Sequence, residues 1–341
     1  MDHPSSGLTV GPLPEGPALL EVRHAVRRWV RAHDDADAGV AVALSGGADS
    51  LALTAAAVVE AGPVHALVVD HRLQVGSGDV AARAAERARA LGCASAQVLP
   101  VTVEGQGGLE AAARRTRYEA LDAARADRPV LLGHTLDDQA ETVLLGLARG
   151  SGPRSLAGMR AYDAPWGRPL LGVRRTVTER ACTELGLPPY RDPHNLSPEF
   201  TRVRLRTEAL PLLEQILGGG VAEALTRTAA QLREDGDVLD ELAVELLTCA
   251  STGDELDVAA LVDAPPAVRR RALRAWLLRR GARGLTDRQL RAADDLVGSW
   301  RGQGGVALGG GREGVRLVVS RRRGRLSVGF VGEQSGSNNC R

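Results

Sequence analysis

Residues 39–50 read Gly-Val-Ala-Val-Ala-Leu-Ser45-Gly46-Gly47-Ala48-Asp49-Ser50 and constrain the fold more than any other stretch. A valine-rich apolar run breaks at Ser-Gly-Gly, then resumes as an alanine- and leucine-rich helical pattern to about Glu60. Strand, glycine turn and helix in direct succession form a βα unit, the building block of a parallel sheet. Such a turn leaves unpaired N–H groups converging at the positive end of the helix dipole. Its glycines admit a phosphate that a Cβ would hold off. Ser45 and Ser50 add hydroxyl donors, and Asp49 stands where a phosphate-bound cation would sit. Residues 45–50 therefore read as a pyrophosphate cradle. The glycine-lysine loop of common nucleotide triphosphatases is absent, as is the third glycine of a dinucleotide turn. The sequence contains no lysine at all, so phosphate charge must be met by backbone, arginine or metal.

A chain of 341 residues has room for two domains. Hydrophobic content of 44% with 25% charged residues is that of a soluble globular protein. No apolar run approaches the ~20 residues of a membrane span, so no membrane partner is expected. Cys93, Cys182, Cys249 and Cys340 are scattered without a CxxC pair. That argues against a zinc site, a cluster or a disulfide framework and suits a reducing cytoplasm. Charge is unevenly spread: residues 264–326 carry 16 arginines against four carboxylates, on a chain whose total is only +1. A basic C-terminal part on an acidic body fits a polyanionic partner such as nucleic acid, or else a solvated arginine surface.

Strand-like runs at 40–44, 64–70, 96–103 and 129–133 alternate with helical patterns at 49–60, 79–91 and 108–126. The pattern predicts an α/β fold, a parallel sheet with helices on both faces. Ligands of such sheets sit beyond the C-terminal strand ends, where the 45–50 turn, Asp70 and Gly133 would gather. A first helix is expected over 18–32, a helix over 221–247 interrupted near Gly236, another over 266–280, and strands with a hairpin within 306–326. The expected organisation is a disordered leader (1–17), an α/β domain (18–217), a smaller basic and mainly helical domain with some β (218–332), and a disordered tail (333–341).

Four further segments carry chemistry. Gly133-His134-Thr135-Leu136-Asp137-Asp138-Gln139-Ala140-Glu141-Thr142 leads into a helix at 142–148. Thr135 can cap it with Asp138, and Asp137, Asp138 and Glu141 can share a face. Those carboxylates are either electrostatic caps or, beside the cradle, holders of Mg²⁺ or an amino-group substrate. Val68-Val69-Asp70-His71-Arg72 ends a strand with a ribose, base or phosphate contact, or simply with a polar terminus. Glu110, Arg114 and Arg117 share one helical face, which is either functional or a salt-bridged surface. The alternating Arg202, Arg204 and Arg206 bind phosphate or coat a surface.

Together these segments resemble the N-type ATP pyrophosphatase (PP-loop) superfamily and, within it, the tRNA(Ile)-lysidine synthase family. The similarity runs from about Val40 to Leu213 through SGGADS, VDHRL, LEAAARRTRY, GHTLDDQAET, LARGSGPRSLAGM, GRPLL and DPHN, in family order. Departures are Gln74 and Thr135 at positions where the family usually has arginine and histidine, and Val203 where it usually has asparagine. The basic C-terminal region resembles the family's tRNA-binding domain only loosely.

The resemblance implies a Rossmann-like ATP-binding ligase domain. The cofactors would be ATP, held by Ser45, Gly46, Gly47, Ala48, Asp49, Ser50, Asp70, His71, Gly133 and His134, and Mg²⁺, held by Asp49 and Asp138. Catalytic roles would fall to Asp49, Arg114, Asp138 and Glu141, with free L-lysine on Asp138 and Glu141 and the tRNA on Arg202 and Arg206. The partner would be a tRNA(Ile) bearing a CAU anticodon. Its wobble cytidine would be adenylated and then joined to lysine, giving lysidine. Three other classes compete. A thiolase on the same fold needs paired cysteines. A non-catalytic ATP- or tRNA-binding module predicts a damaged turn or lost carboxylates. A small-molecule amidating relative needs no basic C-terminal domain.

Overall fold

The computed structural model describes residues 16–33, 39–74, 76–104, 108–150, 152–190, 192, 199–311 and 315–332. The disorder expected of the leader (1–17) and tail (333–341) falls outside that set except at Gly16 and Pro17, where the first helix already begins. The chain divides into two compact units, residues 1–149 with 158–229, and residues 150–157 with 230–341.

The first unit opens with α1 (Pro17–Ala32), then β1 (Val40–Ala43), α2 (Ala48–Glu60), β2 (Val64–Asp70), α3 (Ser77–Ala90), β3 (Ser95–Pro100), α4 (Leu109–Ala124), β4 (Val130–Leu131) and α5 (Leu136–Ala148). After α6 (Pro153–Leu156), which belongs to the second unit, come β5 (Tyr162–Asp163), β6 (Trp166–Gly167), α7 (Arg175–Glu184) and α8 (Thr201–Arg204). A π-helical turn (Leu205–Ala209) joins α8 to α9 (Leu210–Leu217).

The sheet order is β3-β2-β1-β4-β6-β5. All neighbours run parallel except the β5–β6 pair. Because side chains alternate along a strand, β1 serves two cores. Val40 and Val42 pack with Leu19, Val22, Leu51 and Leu53 from α1 and α2. Ala41 and Ala43 face Leu121 of α4 together with Leu67 and Leu132. Helices thus cover both faces, as β1's fully apolar sequence predicts. Each fully buried leucine contributes about 1.5–3 kcal/mol.

Two ties fix α7. Glu184 at its end accepts hydrogen bonds from the N–H groups of Ala18 (3.1 Å) and Leu19 (2.8 Å), capping the first turn of α1. At its beginning, Thr178 donates its hydroxyl to Asp49.

α10 (Val221–Ala250) is one continuous helix of 30 residues. The interruption expected at Gly236 does not occur. A single glycine costs a long helix only about 1 kcal/mol. The helix expected from Thr142 begins six residues earlier, at Leu136, because the Thr135–Asp138 capping box starts it there.

Within the second unit follow β7 (Ser251–Thr252), β8 (Glu255–Asp257), α11 (Val258–Val262), α12 (Pro266–Arg279), α13 (Asp287–Gly298), β9 (Val306–Leu308), β10 (Val315–Arg322) and β11 (Arg325–Gly332). They form an antiparallel sheet in the order β7-β8-β11-β10-β9. Its core is built on Leu256, Leu273, Leu277, Leu296 and Leu326. The β10–β11 hairpin turns at Arg323 and Gly324, within the expected turn. Arg269 is buried against Asp294 (Nε–Oδ1 2.5 Å). Its other donors reach the carbonyls of Val262 and Ala264, both at 3.1 Å. Among the described residues no helix is long and apolar enough to cross a membrane.

Candidate active site

The site lies in the first unit, at the C-terminal ends of β1, β2 and β4. Gly46 leaves β1 with φ +82°, a conformation that favours glycine. Gly47 caps α2, whose first N–H groups have no partner within the helix. Ser50 closes the turn: its hydroxyl donates to the Gly47 carbonyl (3.0 Å) and accepts from the Ser45 N–H (3.2 Å). The Gly46 carbonyl accepts from the N–H of Tyr190 (2.9 Å), pinning a distant segment to the turn. Gly133, leaving β4, passes so close that a Cβ there would stand 3.1 Å from the Asp49 carbonyl carbon and the Ser50 nitrogen.

Two cavities meet at this turn. The smaller, about 380 Å³, is lined by Ser45, Asp70, His71, Gln74 and Val80, among others. The larger, about 1120 Å³, is lined by residues 47–50 together with Gly133, His134, Asp138, Arg175 and Arg206. Ser45, Gly47, Arg117, Tyr190 and Asp192 border both. Gly46 faces away from them, toward Ala84 and Tyr190.

α5 presents the carboxylates. Asp138 Oδ2 accepts from the N–H (2.8 Å) and hydroxyl (2.9 Å) of Thr135, completing the capping box. Its Oδ1 takes the Arg175 guanidinium at 2.6 Å. That same guanidinium reaches Asp49 Oδ2 (3.4 Å) and Glu141 Oε1 (3.5 Å). Glu141 is fully buried and also receives Arg206 Nε (2.9 Å) and Arg202 Nη1 (3.7 Å). Asp137 accepts from the Arg175 N–H (2.8 Å) and pairs with Arg174 (3.3 Å).

Electrostatics divides these groups. Burial raises the Asp49 carboxyl above its ordinary value, against the pull of Arg175 and Thr178. Asp138 is buried as well, but Arg175 and the Thr135 bonds overcome that penalty and hold it below its ordinary value. Burial opposes the charge on Arg175, yet Asp138, Asp49, Glu141 and Asp137 together raise its pKa. Burial lowers His134 to about 3, with Asp138 opposing and the nearby arginines reinforcing. His71 is likewise lowered, by burial and then by Arg117. Both imidazoles are neutral at neutral pH, and each has a buried Nδ1 without a hydrogen-bond partner among the described residues.

Gly46 apart, the structure thus gathers the turn residues, Gly133, His134, Asp138 and Arg206 at one cavity and Asp70 and His71 at its neighbour. Glu141 sits behind the cavity wall. Arg202 and Arg206 turn inward onto Glu141. Arg114 is exposed, donating to the Tyr118 hydroxyl (3.2 Å) with its guanidinium 5.0 Å from that ring. Arg117, one turn on, borders both cavities, and burial lowers its pKa. Sequence reasoning missed Arg175, Thr178 and Tyr190. The only local signal was the Arg174-Arg175 pair opening a helix just after Gly-Arg-Pro-Leu-Leu.

Among the described residues no three His, Cys, Asp or Glu side chains form a metal cage. Mg²⁺ needs none, because it binds through one or two carboxylates and substrate phosphates. Asp49 and Asp138, which already share one cation, suit that role.

Comparison with known proteins supplies the relationships. Residues 21–213 match the PP-loop domain family and residues 256–327 the TilS substrate binding domain family. A tRNA(Ile)-lysidine synthase of Rhodococcus opacus is 70% identical over 93% of this chain and 98% of its own length. The one from Mycobacterium tuberculosis strain H37Rv is 59% identical over 91% of this chain and 96% of its own. Among solved structures, a U34-tRNA thiolase of Methanococcus maripaludis superposes with TM-score 0.51 at 18% identity. It covers 64% of this chain and 80% of its own, a likeness of fold alone.

Proposed function

The chain belongs to the tRNA(Ile)-lysidine synthase family, and on that premise we propose how its residues carry out the reaction. It is a PP-loop, ATP-using ligase that forms lysidine on tRNA(Ile). The observation that carries the residue-level reading is the convergence of Asp49, Asp138 and Glu141 on one buried cation beside the 45–50 turn.

The wobble cytidine of a CAU anticodon is the acceptor and free L-lysine the donor of nitrogen. The carbonyl oxygen on C2 of the cytosine attacks the α-phosphorus of ATP, forming an adenylated base and releasing diphosphate. The lysine ε-nitrogen then attacks C2, AMP departs and the amine gives up a proton. Adenylation is needed because a cytosine oxygen is a poor leaving group and AMP a good one.

The turn at 45–50 receives the diphosphate through its N–H groups and serines. Asp49 and Asp138 hold Mg²⁺, which supplies charge neutralisation of the phosphates. Arg114 and Arg117 offset charge developing at the α-phosphate, Arg117 from the junction of the cavities. Neutral His71 and His134 contact the nucleotide without adding charge, and Asp70 contacts it beside them. Asp138 and Glu141 seat the lysine ammonium, whose ordinary pKa is about 10.4. Neighbouring carboxylates raise that value, so they position the nucleophile rather than deprotonate it. Residues 18–217 carry this chemistry. Residues 218–332, through the arginine-rich stretch 264–326, grip the tRNA backbone while Arg202 and Arg206 guide the flipped base. A cytoplasmic location brings the three substrates together.

The test is direct. The protein is incubated with ATP, Mg²⁺, radiolabelled lysine and an unmodified tRNA(Ile) transcript bearing CAU, with Asp49→Ala alongside. Label that survives mild base treatment, and is absent with the variant and with methionine tRNA, is the expected result. No label with folded protein would overturn the reading.

A further inference from the structure

Arg175 occupies the place where the reaction needs another cation. Its guanidinium is 2.6 Å from Asp138 and touches Asp49 and Glu141 as well, the carboxylates that would seat Mg²⁺ and the lysine ammonium. It is only 17% exposed, so little water screens it from a second positive charge. Its backbone is fixed by the bond from its N–H to Asp137, so a departure would involve the side chain alone. Thr178 holds Asp49 from the other side, so Asp49 keeps its position if the guanidinium leaves. A destination also exists: Arg175 lines the cavity of the 45–50 turn and already contacts Asp49 within it.

We propose that Arg175 is a positioning residue that makes lysine binding wait for ATP. In the nucleotide-free enzyme its guanidinium fills the ammonium seat on Asp138. The phosphates of ATP draw it toward the turn and open that seat. Arg206 also reaches Asp138 Oδ1, at 3.5 Å, so the guanidinium that leaves is the nearer of two and the entering ammonium replaces it at that oxygen. The consequence for catalysis is protective. Lysine is admitted only when the group that activates cytidine is present. This inference rests on the lysidine-forming reading above.

The experiment is calorimetric titration of L-lysine into the full chain, without nucleotide and with Mg²⁺ and α,β-methylene ATP. Wild-type protein is expected to bind lysine at least about tenfold more tightly with the nucleotide. Arg175→Met is expected to bind lysine without nucleotide to within about threefold of its affinity with it. Arg175→Lys retains a cation and is expected to preserve the wild-type dependence in direction. Equal lysine affinity of the wild type in both states overturns the proposal, as does an undiminished nucleotide dependence in Arg175→Met. The wild-type arm stands even if the Met variant does not fold. The labelled-tRNA assay separates the two levels. Lysidine formed with nucleotide-independent lysine binding sinks the ordering alone, whereas no lysidine in any condition sinks the reading beneath it.

Discussion

Arg269 and Arg175 are both held against carboxylates and largely out of solvent, and they are used in opposite ways. Arg269 of the second unit faces a single carboxylate and two carbonyls. Arg175 of the first unit divides its donors among three carboxylates at 2.6–3.5 Å and borders a cavity of about 1120 Å³. The first arrangement is saturated, so its only expression is stability. The second spreads one guanidinium over three carboxylates beside a cavity that gives it a way out, so its cation can be exchanged for another. Burial of an ion pair thus says little until its remaining partners are counted.

The comparison breaks most easily at Asp294. Asp294→Ala strands the Arg269 guanidinium in the second unit's core and should cost about 3–5 kcal/mol in urea unfolding. Arg269→Met with Asp294→Leu should recover most of it. A loss under about 1 kcal/mol would mean that the pair is not closed.

In the open site the order of effects reverses. Glu141→Gln should slow lysidine formation by about 10²–10³-fold, measured as label transfer to tRNA, and cost only about 1–2 kcal/mol in stability. Gly133→Ala should be milder. Its methyl meets the backbone of Asp49 and Ser50 at 3.1 Å, and a small displacement of the turn should reduce activity about tenfold with the fold intact.

The smallest effects are titrations of opposite sign. The folded-state pKa of Asp49 is raised, so its contribution is present below the ordinary value of 3.8 and lost as pH rises through the folded value. That of Asp138 is depressed, so its contribution is present above 3.8 and lost as pH falls through the folded value. On acidification Asp49→Asn should therefore lose stability more steeply than the wild type, and Asp138→Asn less steeply. Thermal melts between pH 3 and 6 would show it.

How much of this was legible in the sequence depended on distance along the chain. β1, its turn and α2 are one continuous pattern of apolar spacing and glycine, and they formed as read. The cap of α5 was visible in Thr135 and Asp138, three residues apart, although the helix start was placed too late. Arg175 was not visible. It stands 126 residues from Asp49, and no local periodicity marks a guanidinium that will fold back on a cradle. The same holds for Tyr190, whose N–H reaches Gly46 across 144 positions. The continuity of α10 through Gly236 was misjudged because the weight of 30 helical residues outweighs one poor one. The helix α13 announced itself in a Thr286–Gln289 capping box that went unread.

The two ties of α7 have a practical side. Glu184 grips the start of α1 and Thr178, six residues before it, grips Asp49, so about 9 Å of helix separates the amino-terminal helix from the reacting centre. An affinity tag fused ahead of Gly16 is therefore not a remote attachment. A fluorophore placed there becomes a reporter: the arrival of nucleotide at Arg175 would be read as a change of emission from the opposite end of a single helix.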